Sequence, residues 1–199
     1  MIKLKICGLR RAADVDYVNE AKADYAGFVF AEESRRFINP AQAALLRARL
    51  AKGIAPVGVF VNAPAESIVS LYQSGVIAIA QLHGEEDEAY IAALKEQCDI
   101  PVIQVFRMRA TTEITPTRAD YILLDSGSGS GQPFDWSRIN RSAVPEKPWF
   151  LAGGIGLSNI EKALALAPYA IDVSSGAERN GWKDRAAIIE LAKKVRNLG

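Results

Sequence analysis

The chain of 199 residues, 49% hydrophobic with a formal net charge of +1, is expected to form one well-buried globular domain over 1–199, without electrostatic bias toward nucleic acid or a membrane surface. No apolar run approaches the roughly 20 residues that a membrane span requires, and Met1-Ile2-Lys3-Leu4-Lys5 is too short and too charged for a secretory signal, so a cytoplasmic protein is expected. Two separated cysteines, Cys7 and Cys98, and the single histidine His83 give little support to a disulfide or a zinc site, leaving carboxylates, one thiol, arginines and backbone for any chemistry.

From the amino terminus, short and nearly continuous apolar runs alternate with segments whose apolar residues recur every three or four positions. A strand is predicted over 2–7, a helix over 14–23 opened by Asp14, a strand over 25–30, and a helix over 40–51 introduced by Asn39-Pro40. Strands over 56–61 and 76–82 flank a helix over 64–74, and a helix over 86–97 leads into a strand over 101–106. Strands follow over 121–124 and 148–152, then a helix over 158–166, a strand over 170–173 and a closing helix over 184–198. The sixth unit is the weakest, because 126–132 is rich in glycine and serine and any helix around Trp136 must be brief.

Continuous rather than alternating apolar strands are those of a parallel sheet covered on both faces, and the run starts lie about 24 residues apart, close to one βα unit. An open doubly wound sheet and a closed eight-stranded barrel both fit this alternation. Eight runs favour the (β/α)8 barrel, and Cys7-Gly8-Leu9-Arg10-Arg11 lacks the Gly-x-Gly-x-x-Gly turn expected of a dinucleotide-binding sheet. At this length a barrel has no room for a lid domain or long insertions.

In such a barrel function gathers at the carboxyl ends of the strands. The residues found there are Cys7, Ser34-Arg35-Arg36, Asn62, Gln81, His83, Arg107, Asp125, Gly153-Gly154 and Asp172-Val173-Ser174-Ser175-Gly176. The glycine-bearing turns after the seventh and eighth runs suit phosphate, because Gly153, Gly154, Ser174, Ser175 and Gly176 let backbone N–H groups approach an anion closely; ordinary βα turns would look the same. Cysteine at a strand end is most often a small buried hydrophobe. Strand alternation, however, puts Lys3, Lys5 and Cys7 on one face, so a cation beneath Cys7 is expected to favour a thiolate able to act as a base. Asp125 is either a turn former or a partly desolvated carboxyl that keeps its proton, and His83 either binds substrate or caps the fourth strand. Arg36 is placed to hold a carboxylate through two hydrogen bonds, whereas Arg35 reads as solvated surface charge.

The same strand ends carry a family resemblance over nearly the whole chain. Lys5-Ile6-Cys7-Gly8-Leu9, Gly27-Phe28-Val29-Phe30 with Ser34-Arg35-Arg36-Phe37, Val57-Gly58-Val59-Phe60-Val61-Asn62, and Gln81-Leu82-His83-Gly84 resemble motifs of the phosphoribosylanthranilate isomerase family. So do Leu123-Leu124-Asp125-Ser126 with Phe134-Asp135-Trp136, Leu151-Ala152-Gly153-Gly154-Ile155, and the stretch from Asp172 through Glu178 to Lys183-Asp184. Ser128, Ser130 and Gln132 depart from the family's usual Gly, Thr and Lys.

The resemblance implies an Amadori rearrangement in tryptophan biosynthesis that needs no redox or metal cofactor, with a small phosphorylated substrate as the partner; the sequence leaves monomer and homodimer both open as the assembly. It further implies Asp125 as general acid, Cys7 as general base, Arg36 on the anthranilate carboxylate, Asp172 facing the anilinic part, and the two glycine turns on the phosphate. Reference pKa values, about 3.9 for Asp and 8.5 for Cys, run in the wrong order for these roles, so both environments are expected to shift them. The closest enzyme rival is the histidine-pathway isomerase, which performs the same rearrangement on a larger aminoimidazole, or a dual-substrate version of it; those barrels use an Asp where this chain has Cys7 and carry a phosphate site in each half. Indole-glycerol-phosphate synthase requires lysines without an evident counterpart at these strand ends, and a non-catalytic phosphate-binding barrel is the rival outside enzymes.

Overall fold

The computed structural model describes residues 1–108, 114–125 and 146–198. Eight parallel strands close into a barrel in sequence order: β1 (Lys3–Cys7), β2 (Tyr25–Val29), β3 (Ala55–Phe60), β4 (Ile79–Leu82), β5 (Val102–Arg107), β6 (Tyr121–Asp125), β7 (Trp149–Ala152) and β8 (Ala170–Val173). The helices α1 (Ala12–Ala21), α2 (Pro40–Arg49), α3 (Ala65–Gln73), α4 (Glu88–Gln97), α5 (Ile160–Leu164) and α6 (Arg185–Leu198) follow strands 1, 2, 3, 4, 7 and 8. This is the expected single-domain (β/α)8 barrel. The glycine- and serine-rich segment and the brief helix expected around Trp136 fall outside the described residues.

Each helix turns a stripe of apolar side chains onto the strands. In α6 the stripe is Ile188, Leu191, Ala192 and Val195, all buried, and full burial of one such aliphatic side chain stabilises by roughly 1.5–3 kcal/mol. Several helix starts are set by side-chain caps. Asn39 accepts from the Gln42 N–H at 2.9 Å with Pro40 in the first turn, and Asp87 accepts from the Tyr90 N–H at 2.8 Å, which starts α4 at Glu88. Asp14 marks α1 differently from the sequence expectation, lying inside the first turn and accepting from the backbone N–H groups of Arg10 and Arg11 at 2.9 and 3.1 Å, so the helix begins at Ala12.

Alternate residues of every strand fill the barrel interior in layers. At the amino-terminal end Phe150 meets Tyr25, Tyr121 and Tyr169 edge to face with ring centroids 5.3, 5.8 and 5.8 Å away, and Lys3 Nζ lies 5.4 Å from the Tyr169 ring centre. Val57, Ile79, Ile103 and Leu123 pack in the same interior cluster. Cys7, Val29 and Val59 form a separate group toward the carboxyl ends. Cys7 is in register with Gly27, where a Cβ would stand 2.7 Å from the Cys7 Sγ, so the glycine makes the space that the thiol occupies.

One feature was not anticipated. β9 (Glu178–Arg179) and β10 (Trp182–Lys183) form a two-stranded antiparallel hairpin in the loop after β8. Asn180 and Gly181 turn it, with φ of 53° and 78°, the left-handed pair that a tight two-residue hairpin demands. The turn sets Glu178 directly opposite Lys183.

Candidate active site

A cavity of about 750 Å³ opens at the carboxyl ends of the strands. Of the residues singled out from the sequence, Cys7, Arg36, His83, Asp125, Gly153, Gly154, Asp172, Ser174 and Ser175 all line it, together with Arg107 and Gln81. Asn62 does not; its side chain accepts from the Glu85 N–H at 2.8 Å and shapes the loop after β3. Gly176 is also set back, in a bridge to Gly156, where a Cβ would stand 2.0 Å from the Ile155 carbonyl oxygen. Glycine at that position lets the two turns after β7 and β8 touch.

The register of β1 against β8 puts Lys5 beside Asp172, and Lys5 Nζ donates to Asp172 Oδ2 at 2.7 Å with both side chains buried. Burial pulls the Lys5 ammonium down, but Asp172 and the Cys7 thiol overcome it and hold the group above the ordinary lysine value. Lys5 does lie on the Cys7 face, as alternation predicts. The expected lowering of the thiol pKa is nevertheless overturned. Burial pushes the Cys7 thiol up, the Asp172 carboxylate adds to this, and the attraction of Lys5 and Lys183 does not offset them. Alkylation of Cys7 by iodoacetamide in a Cys98→Ser background is therefore expected to accelerate with a midpoint above the ordinary thiol pKa. A midpoint at or below that value would contradict the burial argument.

Asp172 keeps one oxygen available. Its Oδ1 is buried, has no hydrogen-bond partner among the described residues, and belongs to a side chain on the cavity wall. A buried carboxylate oxygen on a cavity wall can accept from an N–H or O–H donor of water or of a ligand.

Across the cavity His83 Nε2 lies 3.4 Å from Asp125 Oδ2, while His83 Nδ1 is 3.1 Å from the Gln81 amide nitrogen. Arg107, in register with Asp125, donates to the His83 carbonyl at 2.8 Å. His83 thus stands against the carboxyl that the sequence nominates as an acid, which unites two residues read separately.

Arg36 is held through the side edge of its guanidinium. Nε donates to Glu178 Oε1 at 2.6 Å and Nη2 to Glu178 Oε2 at 3.0 Å. Arg35, expected as solvated charge, is exposed but also reaches Glu178 Oε2 at 3.1 Å. Lys183 Nζ adds a fourth contact to Glu178, at 2.8 Å. Burial alone would raise the Glu178 carboxyl, yet the hydrogen bonds from Arg36 and Lys183 draw it down to about 2. Glu178 and Lys183 were not among the residues nominated from the sequence, although Asn180-Gly181 between them is a strong short-range hairpin signal.

The turn after β7 takes Gly153 and Gly154 through φ of 93° and 65°, a path that glycine follows without strain. Asn159 fixes it, accepting from the Gly156 N–H at 2.8 Å and donating to the Gly154 carbonyl at 2.9 Å. Ser174 Oγ donates to the Cys7 carbonyl at 3.2 Å, which ties the turn after β8 to the base of the thiol. Among the described residues, no group of three His, Cys, Asp or Glu side chains is arranged to hold a metal ion.

A closed eight-stranded barrel whose mouth carries a thiol, a carboxyl, an arginine and glycine turns defines a class, the (β/α)8-barrel proteins built for acid–base work on a small anionic ligand. The model of the family described as N-(5'-phosphoribosyl)anthranilate (PRA) isomerase matches residues 4–194. An N-(5'-phosphoribosyl)anthranilate isomerase of Endomicrobium trichonymphae is 45% identical over 204 residues, covering 100% of each chain. The crystal structure of phosphoribosyl anthranilate isomerase from Thermus thermophilus is 32% identical and superimposes with a TM-score of 0.89 over 100% of both chains. A phosphoribosyl anthranilate isomerase in complex with reduced 1-(o-carboxyphenylamino)-1-deoxyribulose 5-phosphate is also 32% identical, with a TM-score of 0.83 and 100% coverage of both chains. The chain belongs to the N-(5'-phosphoribosyl)anthranilate isomerase family.

Proposed function

We propose that the chain catalyses the Amadori rearrangement of N-(5-phospho-β-D-ribosyl)anthranilate to 1-(2-carboxyphenylamino)-1-deoxy-D-ribulose 5-phosphate, a step of tryptophan biosynthesis. The observation that carries the reading is one cavity lined by Cys7, Arg36, Asp125 and Asp172 together with the Gly153-Gly154 and Ser174-Ser175 turns, in a chain of this family.

Asp125 donates a proton to the furanose ring oxygen as the C1–O bond breaks, and the anilinic nitrogen lone pair completes an iminium at C1. Cys7 then takes the proton from C2, its electron pair forming the C1–C2 double bond of an enolamine as the iminium π pair returns to nitrogen. Loss of the C2 hydroxyl proton and protonation at C1 give the ketone, and solvent exchange restores the protons on both side chains with no net gain or loss. Arg36 holds the carboxylate, Asp172 Oδ1 accepts from the anilinic N–H, His83 orients Asp125, and the glycine turns hold the phosphate.

The raised Cys7 thiol fits this order of events. A neutral thiol is the resting form; once the cationic iminium forms beside it, the thiol gives its proton to solvent, and the thiolate so formed takes the C2 proton. An anilinic N–H bonded to Asp172 also disperses the carboxylate charge that adds to burial in holding the thiol up.

Expression of the chain is expected to let a bacterial strain lacking this isomerase grow without tryptophan, and the Cys7→Ala variant is expected not to. Rescue of a histidine-requiring strain, with none of the tryptophan-requiring one, would favour the aminoimidazole substrate. Failure of soluble protein to rescue either strain would favour a non-catalytic barrel.

A further inference from the structure

The Asn180-Gly181 hairpin carries a buried charge cluster that the rearrangement itself does not employ. The Glu178 carboxylate accepts four hydrogen bonds, two from the side edge of Arg36, one from Arg35 and one from Lys183. The Glu178 and Lys183 side chains are only 6% and 1% exposed. Lys183 Nζ also donates to the Ser174 carbonyl at 3.0 Å, so one ammonium joins the cluster to the turn after β8.

Two constraints act on Arg36. Its stem crosses Gly8, where a Cβ would stand 2.3 Å from the Arg36 Cδ, so the chain runs in a slot that only glycine leaves open. Glu178 occupies Nε and one side of Nη2. What remains is the end edge of the guanidinium, with Nη1 unpartnered among the described residues, on a side chain that lines the cavity. A planar fork held by one edge offers the other in a fixed direction, which reduces the ordering cost of binding.

The charges are arranged to the same end. A glutamate alone on Arg36 would cancel its charge and repel an incoming carboxylate. Lys183, buried on the far side of Glu178, compensates that glutamate, so Arg36 keeps its attraction for an anion.

We infer that Glu178, braced by Lys183, is a positioning residue that holds Arg36 by its side edge and presents its end edge to the substrate carboxylate. The inference rests on the proposed role of Arg36, and the test separates the two. The probes are reduced 1-(o-carboxyphenylamino)-1-deoxyribulose 5-phosphate and its counterpart with a plain phenyl ring, titrated calorimetrically against wild type, Glu178→Gln and Arg36→Met.

Glu178→Gln is expected to weaken the carboxylated probe about tenfold, the scale of a lost charge-assisted hydrogen bond, and the phenyl probe less than about twofold. KM should rise by the same factor as the carboxylated Kd, with kcat little changed. Equal weakening of both probes, or of neither, overturns the inference. If Arg36→Met discriminates between the probes while Glu178→Gln does not, only the inference fails; if Arg36→Met does not discriminate, the carboxylate reading of Arg36 fails and takes the inference with it. Should Glu178→Gln fold too poorly to bind the phenyl probe, Glu178→Asp, which keeps the charge one methylene short, decides by the same comparison.

Discussion

Cys7→Ala is expected to lower kcat by about 10²–10⁴-fold, the usual worth of a positioned general base, and Asp125→Asn to do the same through loss of the acid. Binding of the reduced product analogue should stay within a few-fold of wild type in both, because the carboxylate and phosphate contacts come from other residues. The reasons differ between the two variants. Alanine at 7 removes only the sulfur atom that projects into the space opposite Gly27, so the barrel wall is otherwise unchanged. Asparagine at 125 keeps the shape that faces His83 Nε2 but has no acidic proton to give to a ring oxygen. Steady-state rates alongside analogue titration check both, and a kcat within about threefold of wild type in either variant would contradict its catalytic assignment.

Lys5→Met is expected to lower the free energy of unfolding by about 3–5 kcal/mol, because it strands the Asp172 carboxylate in a buried setting with neither charge partner nor donor. The Lys5 pKa is raised on folding, so its ionisation contributes stability fully below the unfolded lysine value and loses it as pH rises through the folded value. At neutral pH the whole contribution is therefore present in the wild type. In the variant nothing compensates the buried Asp172 carboxylate, and replacing that carboxylate with a neutral amide removes most of the cost. Urea denaturation of wild type, Lys5→Met and the Lys5→Met/Asp172→Asn double variant separates these effects. The double variant should be more stable than the single, and a single variant within about 0.5 kcal/mol of wild type would contradict the account.

Much of the barrel was legible because most of the parallel strands are nearly continuously apolar and each helix carries its own stripe. The runs at 25–30 and 170–173 differ from β2 and β8 by at most one residue. The candidate ring was legible for a related reason. A barrel of this kind gathers strand ends at one mouth, so locating the strand ends located Cys7, Arg36, His83, Asp125 and Asp172 on one cavity.

What stayed hidden depends on contacts between residues far apart in the chain. Strand alternation placed Lys5 under Cys7, but only the register of β1 with β8 shows that Asp172, 167 residues away, already compensates that ammonium. Burial then decides the direction of the thiol shift, and local pattern says little about it. Glu178 was hidden differently. It lies in a quoted motif beside a legible Asn-Gly turn, yet nothing in the local sequence reveals that it reaches back 142 residues to Arg36.

Purified wild-type protein mixed with freshly made N-(5-phosphoribosyl)anthranilate, in the presence of a metal chelator and followed by anthranilate fluorescence, tests the central claim most directly. The account predicts rapid, enzyme-dependent loss of the signal, with 1-(2-carboxyphenylamino)-1-deoxy-D-ribulose 5-phosphate as the product. No acceleration by folded protein over the uncatalysed decay would contradict it.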